Sequence, residues 1–540
     1  MGHPTRPGRR GPAPWSPMDV VPSDRGPQRK AGRLSSNGVS PDGGRDRPDD
    51  FLFGVATAGF QVEGGYNGPG QPANNWVSWE QVGRVEPSGE AVGFWERPDE
   101  ALDRAAGLGC NSFRLGVEWA RVFPEPGGPD RVALARYAGI VDGCLERGLQ
   151  PLVTLHHFTH PAWLGMDFWL RPDSPRHYRQ WAEVAVDALG PSVRHWVTIN
   201  EINVLAIGSW LLGMFPPGRT LAFADAAMAV DNLLAAHVAG YEVIHRARPD
   251  ALVTTNNSCS SVYEFDRMLT DLLLARGEGV EPHELDEWIA ERRAAHNRSL
   301  AAPGGVEHLL RRISASGSPY GRRGSLPSPG RWWARRDGGL PRTVVDALYS
   351  GPHPRPLDVL GLDFYDPAVG RHFRLPGHRT AGGRTAQPTR ELWDDVPDPS
   401  GLTRWLEAQH ALAPGLPLWV VENGMCNRVS NGRSFPRDDG WDRGRYLREN
   451  IAAVAAARDA GVPVTGYWHW SLVDNYEWGS YEPRFGLYGV DRTRGDHGVR
   501  WLETDSLGHD AAGAYRDAIS GFRSGVRSGV RHPSASDRTP

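Results

Sequence analysis

Eight short apolar segments, separated by stretches of helical periodicity, constrain this chain more than any other feature. They read FLFGVATA (51–58), SFRLGVEW (112–119), QPLVTLHH (150–157), HWVTINE (195–201), ALVTTNN (251–257), LDVLGLDFY (357–365), LPLWVVEN (416–423) and VTGYWHWS (464–471). Strands alternating with helices imply a parallel sheet, and near-continuous apolar runs imply that both of its faces are covered. Helical patterns such as LARYAGIVDGCLERG and YLRENIAAVAAARDAG fill the gaps, the latter stopping at Gly461 with Pro463 just beyond. An α/β chain with eight such strands is predicted to close into a single (β/α)8 TIM barrel. A doubly wound open sheet is the competing architecture, but no strand leads into G-x-G-x-x-G or G-x-x-x-x-G-K-[ST].

The polar residues collect at one end of these segments. Gln61 and Glu63 follow the first, His156 and His157 end the third, and Asn200 and Glu201 end the fourth. Asn256 and Asn257 end the fifth, Asp363 and Tyr365 the sixth, Glu422 and Asn423 the seventh, and Trp470 the eighth. In a barrel the C-terminal strand ends share one face, where catalysis sits. One such residue could cap a helix, whereas this many at the same end predict a polar pocket.

The barrel is expected over residues 50–523. Residues 1–49, rich in Arg, Pro, Gly, Ser and Asp, and the polar stretch 524–540 are expected to be disordered tails. A long insertion joins the fifth and sixth strands, helical at first and then basic and turn-rich, with Trp332 and Trp333 as candidates to overhang the pocket. The net charge of −4 supplies no overall basic field, so no nucleic-acid partner is expected. No apolar run reaches membrane-spanning length, and the N-terminal residues lack the apolar core of a signal peptide, so a cytoplasmic location without membrane contact is expected. Cys110, Cys144, Cys259 and Cys426 stand far apart and are read as free thiols. The side chains of His156 and His157 leave a strand on opposite sides, which argues against a shared metal ion. No metal and no cofactor are expected.

Two carboxylates facing one pocket suit acid and base work. Cleavage of a glycosidic bond needs a proton on the leaving oxygen and a second carboxylate at the anomeric carbon. Glu201 and Glu422 are the candidates, and Arg114, inside the second strand, is placed to pair with one of them. Because strand side chains alternate, Asn200 and Glu201 can both reach a ligand only where the fourth strand ends or bulges. Sugars have apolar faces and many hydroxyls, and WHWSLVDNYEWGSYEPRFG (468–486) offers Trp470, Glu477, Trp478 and Phe485 to meet them.

FLFGVATAGFQVEGG, FRLGVEWARVFPEPG, VTLHHFTHPAWL, WVTINEINV, LPLWVVENG and GYWHWSLVDNYEW with RFGLYGVD resemble blocks of family 1 glycoside hydrolases, the β-glucosidase type, in the family's order. The resemblance covers roughly residues 51–520. It implies a retaining exo-β-glycosidase, with Glu201 as general acid/base and Glu422 as nucleophile. It implies that Arg114 pairs with the nucleophile, Tyr365 hydrogen-bonds it, and Asn200 bonds the sugar 2-hydroxyl. It further implies that Gln61, His157, Glu477 and Trp478 grip the sugar over a Trp470 platform. Relatives that act on 6-phosphorylated sugars replace the Glu-Trp pair and add a serine and a lysine, so an unphosphorylated small-molecule glycoside is expected here.

Three positions depart from the family pattern. Ile202 stands where proline is usual, Asp363 where asparagine is usual, and Phe94-Trp95 where Asp-x-Tyr is usual. Two alternative functions share the same pocket: transglycosylation, and sugar binding with weak turnover. The oligomeric state has no signature in the sequence.

Overall fold

The computed structural model describes residues 51–260, 262–299, 342–365, 397–492 and 498–525. The expected N-terminal tail, nearly all of 524–540, and Trp332 and Trp333 lie outside the described residues.

All eight expected strands form. They are β1 (Leu52–Ala56), β2 (Ser112–Gly116), β3 (Gln150–Thr154), β4 (His195–Asn200), β5 (Leu252–Ser258), β6 (Leu360–Phe364), β7 (Leu418–Asn423) and β8 (Val464–Trp470). They pair in parallel in chain order, and β1 pairs with both β2 and β8, so the sheet closes on itself. The chain is a closed eight-stranded parallel barrel. Every residue of β2, β4, β6 and β7 is buried, as two covered faces require.

Helices cover the outside: α1 (Pro98–Gly107), α2 (Arg131–Glu146), α3 (Ser174–Leu189), α4 (Phe223–Ala247), α5 (Arg267–Ala275), α6 (Leu285–Ser299), α7 (Arg342–Ser350), α8 (Pro399–Leu412), α9 (Arg443–Asp459) and α10 (Ala511–Arg523). Their starts carry the expected chemistry. Asp130 accepts from the amides of Val132 and Ala133 at α2, Asp398 from Gly401 at α8, and Asp442 from Arg445 at α9. The segment between β5 and β6 opens with α5 and α6, in agreement with its helical first part.

The ring interior is an apolar cluster that includes Leu152, Val197, Val359, Trp419, Val421 and Trp468. Trp468 lies across the space beside β1 and donates from Nε1 to Ser112 Oγ at 3.0 Å. A Cβ on Gly54 would meet Trp468 Cδ1 at 2.3 Å and the Ser112 carbonyl oxygen at 2.9 Å, so the indole needs a glycine there.

Three strand pairings shift register near their C-terminal ends: β4 with β5 between Val197 and Asn200, β6 with β7 between Leu362 and Asp363, and β8 with β7 between Tyr467 and His469. Such irregularities re-aim side chains beside functional sites. Here they fall where Asn200, Asp363 and Glu422 leave the sheet.

Candidate active site

A cavity of about 600 Å³ opens at the C-terminal ends of the strands, and Glu201, Tyr365, Glu422, Trp470 and Glu477 all line it. β4 ends at Asn200, and Glu201 takes φ 40° and ψ 63°, in the left-handed region. Holding a residue with a side chain there costs about 1–3 kcal/mol, so the surroundings must enforce it. The short helix Ile202–Ala206 follows at once, and Ile202 is fully buried in the core. The shifted register and the left-handed residue together break the strand's alternation. Asn200 and Glu201 therefore turn toward the same cluster of groups.

Arg114 is wholly buried and forms an ion pair with Glu422 through Nη1. Its Nη2 donates to Asn200 Oδ1, and its Nε donates to Thr154 Oγ1 at 3.1 Å. The Tyr365 hydroxyl donates to Glu422 Oε2 at 2.8 Å. Asn200 also accepts from Asn256 Nδ2 at 2.7 Å, and its own Nδ2 lies 3.1 Å from His157 Nε2 and 3.4 Å from Glu201 Oε2. Burial, and then the charge on Glu422, push the Glu201 carboxyl up to about 8. Carboxyl oxygens of Glu201, Asp363 and Glu422 lie within 4.8 Å of one another. Among the described residues this is the one acidic, His or Cys cluster spaced to hold a cation, and the Arg114 guanidinium already answers its negative charge.

The other end of the cavity is aromatic and hydrogen-bonded. Glu477 accepts from Trp470 Nε1 at 2.9 Å and from Gln61 Nε2 at 3.0 Å. Burial pushes its carboxyl up to about 8. The His157 ring stacks on Trp470 at 6.0 Å and on Trp478 at 5.5 Å between centroids. Burial, and then the Arg114 charge, hold His157 far below its usual range, so its ring is neutral. With Nε2 facing the Asn200 amide, the proton is assigned to Nδ1, which has no partner among the described residues. Gln61 is fully buried behind Glu477, and its Oε1 likewise has no partner among the described residues. Buried polar atoms without partners are rare, and hydroxyl groups of a ligand would satisfy them. Phe485 completes this wall, packed against Tyr365 at 6.1 Å.

The structure thus brings every sequence-predicted site residue around one cavity, with Gln61, Arg114 and Asn200 acting from behind its wall. His156 points elsewhere and packs edge-on against Trp169. Sequence reasoning missed a further part of the wall: Trp79, Val85, Val204, Met214 and Phe215, with Arg84 exposed over Trp79. Trp79 and Val204 sit on the short helices Asn75–Gln81 and Ile202–Ala206, and Val85, Met214 and Phe215 on loops, where no periodicity marks a residue that will face the cavity. Asn256 is a partial miss, seen as a polar strand end but given no role, although it bonds both Asn200 and Asp363.

Comparison with known proteins places this geometry in a family. The sequence profile of glycosyl hydrolase family 1 matches residues 45–292 and 355–504. A bifunctional β-D-glucosidase/β-D-fucosidase of Bifidobacterium breve is 29% identical over 478 residues, covering 82% of this chain and 94% of that protein. A 6-phospho-β-galactosidase of Streptococcus pneumoniae is 27% identical over 468 residues, covering 82% of this chain and 94% of that one. The fold matches a β-glucosidase from Thermotoga maritima, solved with a methoxycarbonyl-substituted glucoimidazole, at TM-score 0.65 and 22% identity, covering 88% of this chain and 98% of that one.

Proposed function

This chain belongs to glycosyl hydrolase family 1, and on that footing we propose that it is a retaining exo-β-glycosidase acting on unphosphorylated sugars. Glu201 is its general acid/base and Glu422 its nucleophile. The observation that carries this reading is the unequal setting of two neighbouring carboxyls. Glu422 receives both the Arg114 guanidinium and the Tyr365 hydroxyl, whereas burial makes Glu201 retain a proton at neutral pH. The environments divide the two tasks, as acid/base pairs require.

The steps follow from those settings. Glu201 gives its proton to the leaving oxygen while a Glu422 oxygen bonds the anomeric carbon. Water then enters, Glu201 takes its proton, and the oxygen of the water displaces Glu422. Retaining enzymes keep the two carboxyls about 5–5.5 Å apart and inverting enzymes about 6.5–9.5 Å. Oxygens within 4.8 Å of one another favour the former. Asn200, held by Arg114 and Asn256, is set to bond the sugar 2-hydroxyl. Trp470 forms the platform, and Gln61, His157, Glu477, Trp478 and Phe485 receive the remaining hydroxyls and apolar edge. Gln61, His157 and Phe485 are buried and Glu477 and Trp478 half-buried, a setting that favours removal of a single terminal sugar.

A sugar phosphate needs a cation beside it. Arg84 is the one Lys or Arg on the described cavity wall, and its exposed guanidinium lies over the Trp79 ring. The case against phosphate rests on that lack rather than on the charge of Glu477, which burial leaves largely protonated at pH 7. On the aglycone side, Trp79, Val85, Val204, Met214 and Phe215 favour a flat apolar group.

Hydrolysis of nitrophenyl β-glycosides, followed by NMR of the first-formed anomer, tests the reading. The β anomer is expected, and an inverted first product refutes it. Glu422→Ala should lose turnover, with azide restoring it as the opposite anomer. A 2-fluoro glycoside should add its mass to the peptide carrying Glu422.

A further inference from the structure

The cavity holds a third carboxyl that this reaction leaves idle. Asp363 is wholly buried on β6, in register with Ser258 of β5 and Glu422 of β7. Its Oδ2 accepts from Asn256 Nδ2, while its Oδ1 has no partner among the described residues. One of its oxygens lies within 4.8 Å of a Glu201 oxygen. The nearby donors are committed elsewhere: Arg114 to Glu422, Asn200 and Thr154, and Tyr365 to Glu422. One guanidinium therefore faces three carboxyls whose oxygens lie within 4.8 Å of one another. Like charges that close and that buried cannot all ionise, and two carboxyls in contact attract only if a hydrogen lies between them.

We propose that Asp363 stays a neutral carboxylic acid and donates its O–H to Glu201, as a positioning residue for the general acid/base, an inference that rests on that role for Glu201. The bond reaches the Glu201 oxygen that does not carry the acid proton. When Glu201 protonates the leaving oxygen, the electron pair of its broken O–H bond stays on the carboxylate, and the Asp363 hydrogen bond stabilises that charge. Glu201 regains a proton from the attacking water, and Asp363 keeps its own throughout, so the protons balance over each cycle.

The surrounding groups are consistent with this. Burial and the charges on Glu422 and Glu201 hold the Asp363 carboxyl well above the carboxylate range. The other titratable groups facing the pair are Arg114 on β2, His157 after β3, Cys259 after β5, Tyr365 after β6, Glu422 on β7 and Glu477 after β8. Burial keeps His157, Cys259 and Tyr365 uncharged.

The test is the pH profile of kcat/KM on an aryl β-glycoside for wild type, Asp363→Asn and Asp363→Ala. Asparagine keeps a donor in place, so the alkaline limb should stay within about half a pH unit of wild type. Alanine removes the donor, and the limb should move up by about one unit because the Glu201 carboxylate is less stabilised. If Asp363 is an anion, both substitutions remove a repelling charge and the limb moves to lower pH. That outcome overturns the proposal, as does an unmoved limb in both variants. Should the alanine variant not fold, infrared difference spectra of wild type and Asp363→Asn decide, and they need no turnover. At pH 7 the wild type should show a protonated-carboxyl C=O band that Asp363→Asn lacks, and identical spectra overturn the proposal. Full activity in Glu201→Gln would instead remove the acid/base assignment and leave the infrared result standing.

Discussion

The acid role proposed for Glu201 needs a proton at neutral pH beside two further carboxyls, and burial supplies most of the means. The same burial has a thermodynamic sign. The carboxyl rises from an ordinary 4.5 to about 8 in the folded chain, so the folded state holds a proton that the unfolded state has lost. Its contribution to stability is complete below about 4.5 and is lost as pH rises through about 8. Glu201→Gln should therefore unfold at a higher temperature than wild type at pH 8, and at about the same temperature at pH 4. Thermal melts at the two pH values check this, and an equal gain at both contradicts it. Activity runs the same way: kcat/KM should fall as pH rises through about 8, because the acid form is consumed. Glu201 and Glu422 were legible in the sequence because a carboxylate at the end of an apolar strand is costly without a purpose. The left-handed backbone that aims Glu201 was not, since Ile202 hides the turn that a proline there would have announced.

At the scale of the strand, the pairing of Trp468 with small neighbours decides whether the ring fills. Gly54 on β1 leaves room for the indole, and a methyl group there would press on both Trp468 and the Ser112 carbonyl. Overpacking of this kind usually costs about 1–3 kcal/mol, and contact with backbone puts Gly54→Ala at the upper end. Urea unfolding should show a lowered midpoint with an unchanged slope. A midpoint equal to wild type would mean that β1 and β8 separate without cost. Every barrel strand was readable from its apolar run, because strands buried on both faces carry a dense local signal. The register shift near Asn200 was foreseen only as a need, and the one near Asp363 not at all, because register depends on the neighbouring strand. Met214 and Phe215 escaped for a related reason: they reach the cavity on a loop, and a loop's path is set by what it packs against.

The molecule as a whole carries a net charge of −4 and a single lysine, Lys30, and this bears on substrate choice. A buried phosphate without a partner loses several kcal/mol, which corresponds to more than about 100-fold in kcat/KM. A nitrophenyl β-galactoside should therefore be cleaved at least about 100-fold more efficiently than its 6-phosphate. The reverse order would mean that a cation reaches the sugar by a route other than the described wall.

The grip proposed for the sugar also spans the seam of the ring. Gln61 follows β1, Glu477 follows β8, and they meet only because those two strands pair. Any partly wound intermediate lacking that final pairing has no place for the sugar. A tight-binding inhibitor present during refolding should thus leave the early phases at their usual speed and slow only the return journey. Ligand occupancy becomes a gauge of whether the circle has been completed.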